Sequence, residues 1–125
     1  MQHNFENTLY EKLGESKIKA LVDAFYERVY QDPVLIPLFN NDITEIKDKQ
    51  FRFLTQFLGG PQLYIEKYGP PRMRMRHMPH KIDQKAMVCW LACMKEAIAT
   101  LDISEDLGTE LYHKFPQLAH HMVNS

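Results

Sequence analysis

Residues 43 to 61 read ITEIKDKQFRFLTQFLGGP, and this stretch decides the fold. Ile43, Ile46, Phe53, Leu54 and Phe57 recur at three- and four-residue spacing, which predicts one amphipathic helix. Asp42 or Thr44 stands where an N-cap belongs, and Gly59-Gly60-Pro61 supplies the stop. Ile46, Gln50, Phe53 and Phe57 follow one another at intervals of 4, 3 and 4, so Gln50 falls on the apolar face. A buried amide without partners costs about 1–3 kcal/mol. Another side chain or a buried water can satisfy Gln50, and so can a group that does not belong to the chain.

The same periodicity extends outward in both directions. A short helix is predicted from Thr8 to Leu13, stopped by Gly14. A longer one carries Ile18, Leu21, Val22, Phe25 and Val29 and ends before Asp32-Pro33. Residues Pro33 to Asn40 form a corner containing Phe39. Beyond Pro61 a loop carries Tyr64 and Tyr68, and Gly69-Pro70-Pro71 opens a short helix that Pro79 confines to Arg72–Met78. Asp83 caps a long helix with Met87, Trp90, Leu91, Met94, Ile98 and Leu101 inward. Ser104 caps the last, with Leu107, Leu111, Phe115, Leu118 and Met122 inward and Pro116 placed to kink or interrupt it. No segment reads as a strand. The expectation is one all-α domain over residues 1–125.

Composition removes several function classes. The net charge is −1, without the basic excess of a nucleic-acid partner. No stretch approaches the ~20 apolar residues of a membrane span, and the start Met1-Gln2-His3-Asn4-Phe5-Glu6 has no signal-peptide pattern. A cytoplasmic location is expected. Cys89 and Cys93, four apart in an apolar stripe, read as free thiols rather than a redox pair.

Polar residues on faces that ought to be dry carry the functional reading. Tyr26 stands in register with Val22 and Val29, and Trp90, the only tryptophan, sits in the stripe of the long helix. Either alone reads as an amphipathic core residue. With Gln50 they place three inward donors on three separate helices. His77 ends the short segment Arg72-Met-Arg-Met-Arg-His-Met-Pro79. Three methionines and three arginines surround it there. An iron porphyrin requires such a set: an imidazole for the metal, apolar contact for the ring and cations for two propionates. His80 lies across Pro79 from His77, and nothing near the pair completes a zinc site. His3, His113, His120 and His121 read as solvated.

The segments Phe25-Tyr26-Glu27-Arg28-Val29, Lys49-Gln50-Phe51-Arg52-Phe53-Leu54, Leu58-Gly59-Gly60-Pro61, Met75-Arg76-His77-Met78-Pro79, Trp90-Leu91-Ala92-Cys93-Met94 and His121-Met122-Val123-Asn124 resemble a bacterial group II truncated haemoglobin. They keep that family's order over nearly the whole chain. The resemblance implies a two-over-two helical sandwich around haem b. By position, His77 matches the proximal iron ligand, and Tyr26, Gln50 and Trp90 match the distal polar cluster. Lys49, Arg76 and Tyr64 match propionate partners, while Phe39, Ile46, Phe53 and Trp90 match residues packed on the haem. Ile46 is bulkier than the small or hydroxylated residue usual at its place, and Leu13-Gly14-Glu15-Ser16 lacks the family's double glycine.

Dioxygen on ferrous haem gains partial superoxide character and becomes an acceptor for preorganised donors. Each such hydrogen bond contributes about 1.5–3 kcal/mol, so two make release slow. The implied partners are dioxygen and other small gaseous ligands, with a reductase where the haem turns over. Slow release suits sensing, scavenging, or peroxidase-like and nitric-oxide-oxidising chemistry better than bulk oxygen transport. A haem-free signalling module is the alternative, and a Soret band separates the two. His77→Gly is expected to lose haem, or to give an absorption spectrum that added imidazole restores. An unchanged spectrum removes His77 as the ligand.

Overall fold

The computed structural model describes residues 8–39, 42–70 and 83–121. Within them run α1 (Leu9–Leu13), α2 (Glu15–Val29), a 3-10 turn (Ile36–Leu38), α3 (Ile43–Phe57), α4 (Leu63–Tyr68), α5 (Gln84–Ala99), α6 (Glu105–Tyr112) and α7 (Phe115–His121). No strand occurs among the described residues. Small polar side chains set four helix starts. Thr8 accepts from Glu11 N at 3.1 Å, Asp42 from Thr44 N at 2.9 Å, Asp83 from Ala86 N at 2.9 Å and Ser104 from Leu107 N at 3.1 Å. Each contact satisfies one amide that the helix itself leaves free. Gly14 supplies the sharp corner between α1 and α2 with φ of 82°, a region closed to most side chains.

Helix α2 is the centre of the packing and lies against both α3 and α5. Its face of Ile18, Leu21, Phe25 and Val29 is fully buried, as the spacing predicts. Helix α5 in turn packs on α6 and α7. The α2–α3 pair and the pair formed by α5 with α6–α7 make the expected two-over-two sandwich. Phe57 of α3 meets Phe115 of α7 across it, ring centroids 6.0 Å apart. Asp23–Lys47 at 3.1 Å and Arg28–Glu96 at 3.4 Å staple α2 to α3 and to α5 at the surface. Exposed pairs of this kind orient more than they stabilise.

Three features depart from or sharpen the sequence reading. Residues 63–68 form α4 where a loop is expected; six residues between Pro61 and Gly69 are too few to display a helical period. The last helix is two helices, because Pro116 occupies the first turn of α7, where its missing N–H is harmless. The inner face of α5 is built largely of small residues, Ala86, Cys93 and Ala97, beside Met94 and Ile98. Met87, Trp90, Leu91 and Leu101 are only half-buried. The segment Arg72–Met78, expected as a short helix, lies outside the described residues, as do His77 and Arg76.

Gly59-Gly60 does more than stop α3. Tyr10 N donates to Leu58 O at 2.9 Å, so α1 is pinned to this corner. A Cβ on Gly60 meets the Tyr10 ring at 2.6 Å and the Thr55 carbonyl oxygen at 2.9 Å. The carbonyl is backbone and cannot swing away. Gly60→Ala is therefore expected to cost about 1–3 kcal/mol by overpacking. Gly108 inside α6 is the contrast, with its nearest contact at an ordinary 3.6 Å. Gly108→Ala is expected to stabilise by about 0.5–1 kcal/mol through helix propensity. Denaturant unfolding of both variants reads the two opposite signs directly.

Candidate functional site

Helix α2 holds Tyr26 by burying the turn around it, and the residue is only 4% exposed. Its ring meets Phe25 edge-on at 4.9 Å, and Phe39 from the 3-10 corner edge-on at 5.7 Å. Phe25 then touches Trp90 of α5 at 5.2 Å. Two of the three expected donors are thus linked through one fully buried ring, and the corner phenylalanine joins them. Burial pushes the Tyr26 phenol far above its ordinary range, and nearby Tyr30 adds to the shift. The hydroxyl remains protonated and able to donate.

Gln50 lies half-buried on α3, between Ile46 and Phe53 on the same side. Tyr26, Gln50 and Trp90 find no side-chain hydrogen-bond partner among the described residues. Interior polar groups are ordinarily paired. The structure joins Tyr26 and Trp90 through Phe25, whereas Gln50 stands on α3 and, like Trp90, is partly open to solvent. Among the described residues the buried side-chain atoms without a hydrogen-bond partner are the Tyr30 hydroxyl, one turn beyond Tyr26, and the Thr55 hydroxyl.

Helices α3 and α4 form the other side. Phe53 is buried, stacks on Phe57 at 5.5 Å and meets Tyr64 edge-on at 6.0 Å. Tyr64 is itself buried at 3% and packs on Tyr68 at 5.2 Å. Lys49, expected at a propionate, extends over the Tyr68 ring at 5.3 Å and lies 3.7 Å from Glu45. Phe39 and Ile46 are partly buried against the core. Arg76 and His77 lie outside the described residues.

The sequence pattern does not announce Asp48. Its carboxylate accepts from Tyr68 Oη at 2.7 Å, from Lys67 Nζ at 3.0 Å and from Arg52 Nε at 3.0 Å. Arg52 follows it by four residues, a legible helix pair; the α4 partners need tertiary structure. Partial burial raises the Asp48 carboxyl, but hydrogen bonds from Tyr68, Lys67 and Arg52 outweigh that and hold it at about 2. Cys89 and Cys93 are free. Burial, then the charge of Asp32, pushes both thiols up, Cys93 to about 11, so neither is a ready nucleophile. Among the described residues no cluster of three metal-ligating side chains occurs and no helix is long and apolar enough to cross a membrane.

A two-over-two helical sandwich of this order defines a globin-class fold. The chain belongs to the bacterial-like globin family, whose model matches residues 8–124, and within it to the group II truncated haemoglobins. It is 44% identical over 118 residues to a group 2 truncated hemoglobin of Bacillus subtilis, covering 94% of this chain and 89% of that protein. The crystal structure of a group II truncated hemoglobin from Bacillus anthracis superposes with TM-score 0.89 at 41% identity, over 95% of this chain and 98% of that one. The X-ray structure of a truncated oxygen-avid haemoglobin from Bacillus subtilis gives TM-score 0.88 at 44% identity, over 94% and 100%. The cofactor of this family is haem. The residues present fit it, since the unpaired donors suit a polar ligand and the aromatic walls suit a flat apolar ring.

The Asp48 cluster makes a pH-dependent contribution to stability. Its folded pKa lies below the unfolded value, so the contribution is full above about pH 4 and is lost as pH falls towards 2. Asp48→Asn is expected to cost about 1 kcal/mol at pH 7, solvent screening limiting the value. Urea titrations at stepwise lower pH are expected to show the gap between variant and parent closing below pH 4. A gap independent of pH contradicts this assignment.

Proposed function

We propose that this chain binds dioxygen at a ferrous haem held by His77, and that Tyr26, Gln50 and Trp90 make its release slow. The carrying observation is the absence of side-chain hydrogen-bond partners for these three among the described residues. A negatively polarised ligand gives such donors a partner, and each charge-assisted hydrogen bond to it contributes about 1.5–3 kcal/mol. Haem, when bound, supplies an iron that takes diatomic ligands and a redox centre that exchanges electrons.

The chain's own residues do the rest. His77 holds the metal, its other ring nitrogen fixed by a carbonyl or water. Phe39, Ile46 and Phe53 pack on the macrocycle, and the bulk of Ile46 narrows access to it. Lys49, Arg76 and the Tyr64 hydroxyl orient the propionates. Lys49 leaves a weak 3.7 Å pairing with Glu45 to do so. Tyr26 is the strongest donor, because its ring is clamped edge-on by Phe25 and Phe39. Reaction with peroxide or nitric oxide draws electrons from a separate reductase. The two high-pKa free thiols suit a reducing, cytoplasmic setting, and residues 1–125 act as one domain.

Tyr26→Phe and Trp90→Phe are each expected to speed oxygen release about tenfold or more, the loss of one charge-assisted hydrogen bond. Carbon monoxide, a poor acceptor, is expected to change much less. Haem-free Tyr26→Phe is expected to unfold no more easily than the parent, since it removes an unpartnered hydroxyl. Stopped-flow release kinetics with both gases check this. Equal acceleration of both points to altered access, and no acceleration of oxygen makes the residues ordinary core.

A further inference from the structure

We propose that Tyr68 is a built-in oxidation site: when hydrogen peroxide is reduced at the haem, the Tyr68 phenol gives up an electron and passes its proton to Asp48. This rests on the haem reading above.

The geometry supplies both halves of such a step. A tyrosine is oxidised readily only where its proton has somewhere to go, because loss of an electron makes the phenol a very strong acid. Tyr68 donates to Asp48 Oδ2 at 2.7 Å, and Arg52 and Lys67 fix that carboxylate in place. The side chain of Tyr26 has no such acceptor among the described residues, and the buried Tyr30 hydroxyl is unpartnered. The Lys67 ammonium stands 5.3 Å from the Tyr68 ring centre. It disfavours a cationic ring and so favours loss of the proton together with the electron.

The electron's route is the ring contact between Tyr68 and Tyr64 at 5.2 Å. Tyr64 is the residue assigned to the haem edge, and Phe53 meets it edge-on at 6.0 Å. Tyr68 is half-buried on α4, so the oxidised ring lies near solvent instead of beside the ligand. Hydrogen peroxide takes up two electrons and two protons and leaves as two waters. Tyr68 supplies one electron and, by way of Asp48, one proton. The separate reductase, or another external one-electron donor, supplies the second electron with a proton from solvent, and the haem ends ferric as it began. Tyr68 is left as a neutral phenoxyl radical, open to reduction or trapping at the surface.

Ferric, haem-loaded protein is mixed with hydrogen peroxide and a nitroso spin trap, then digested and mapped by mass spectrometry, with freeze-quench electron paramagnetic resonance in parallel. The expected result is a trap adduct on Tyr68 and a tyrosyl signal. Most of that signal disappears in Tyr68→Phe, which keeps the ring contacts. It also falls in Asp48→Asn, which keeps a carbonyl oxygen as acceptor but removes the base, while the Soret band stays intact in both. An adduct confined to Tyr26, Tyr30 or Trp90, or an undiminished signal in Tyr68→Phe, overturns the proposal and leaves the haem reading standing. A parent protein without a Soret band contradicts both.

Discussion

Phe25 lies at the middle of α2 with no exposed surface, and its ring touches both Tyr26 and Trp90 edge-on. Much of the site depends on that one buried ring. It fixes the crossing of α2 with α5, and with it the relation between a phenol on one helix and an indole on the other. Edge-to-face aromatic pairs contribute about 0.5–1.5 kcal/mol each beyond their burial, and they also restrict rotation. The relation between Tyr26 and Trp90 is thereby settled when the core packs.

This arrangement stands against the usual rule for interiors. Tyr26 and Gln50 occupy positions that apolar residues can fill, and neither is paired by another side chain among the described residues. A chain selected for stability alone gains by replacing them. In the proposed function their presence on α2 and α3, with Trp90 on α5, serves the ligand, and the surrounding core carries the cost. Leu21, Leu54, Met94, Leu111 and Phe115 are essentially fully buried and come from five different helices. The pairing at Gly59-Gly60 and Tyr10 closes the far end of α3 onto α1, away from those donors.

Much of this was legible in the residues, for definite reasons. Stripes such as Ile18, Leu21, Phe25 and Val29 run over several turns, so their period is unmistakable. Thr8, Asp42, Asp83 and Ser104 are capping residues at the head of such stripes. Gln50 and Tyr26 stood out because each breaks an apolar face. Helix α4 was not legible, since Leu63–Tyr68 spans less than two turns and is held by tertiary contact with α3. The Asp48 cluster was hidden for the same reason: Lys67 and Tyr68 reach it only once α4 is seated. Trp90 falls in the apolar stripe of its helix yet is only half-buried. The α5 interior is instead made of Ala86, Cys93 and Ala97, whose small size admits close approach by α2. His77 and Arg76 rest on the sequence and the family resemblance.

In the proposed site, donors from three helices converge on one ligand at the iron. A crystal structure of the haem-loaded ferrous protein with dioxygen bound tests it most directly. The expected result is His77 on the iron, with at least two of the Tyr26 hydroxyl, the Gln50 amide and the Trp90 indole N–H within about 3.2 Å of the ligand or of one another. A ligand surrounded by apolar side chains alone, with those three groups turned to solvent or bonded elsewhere in the protein, contradicts it.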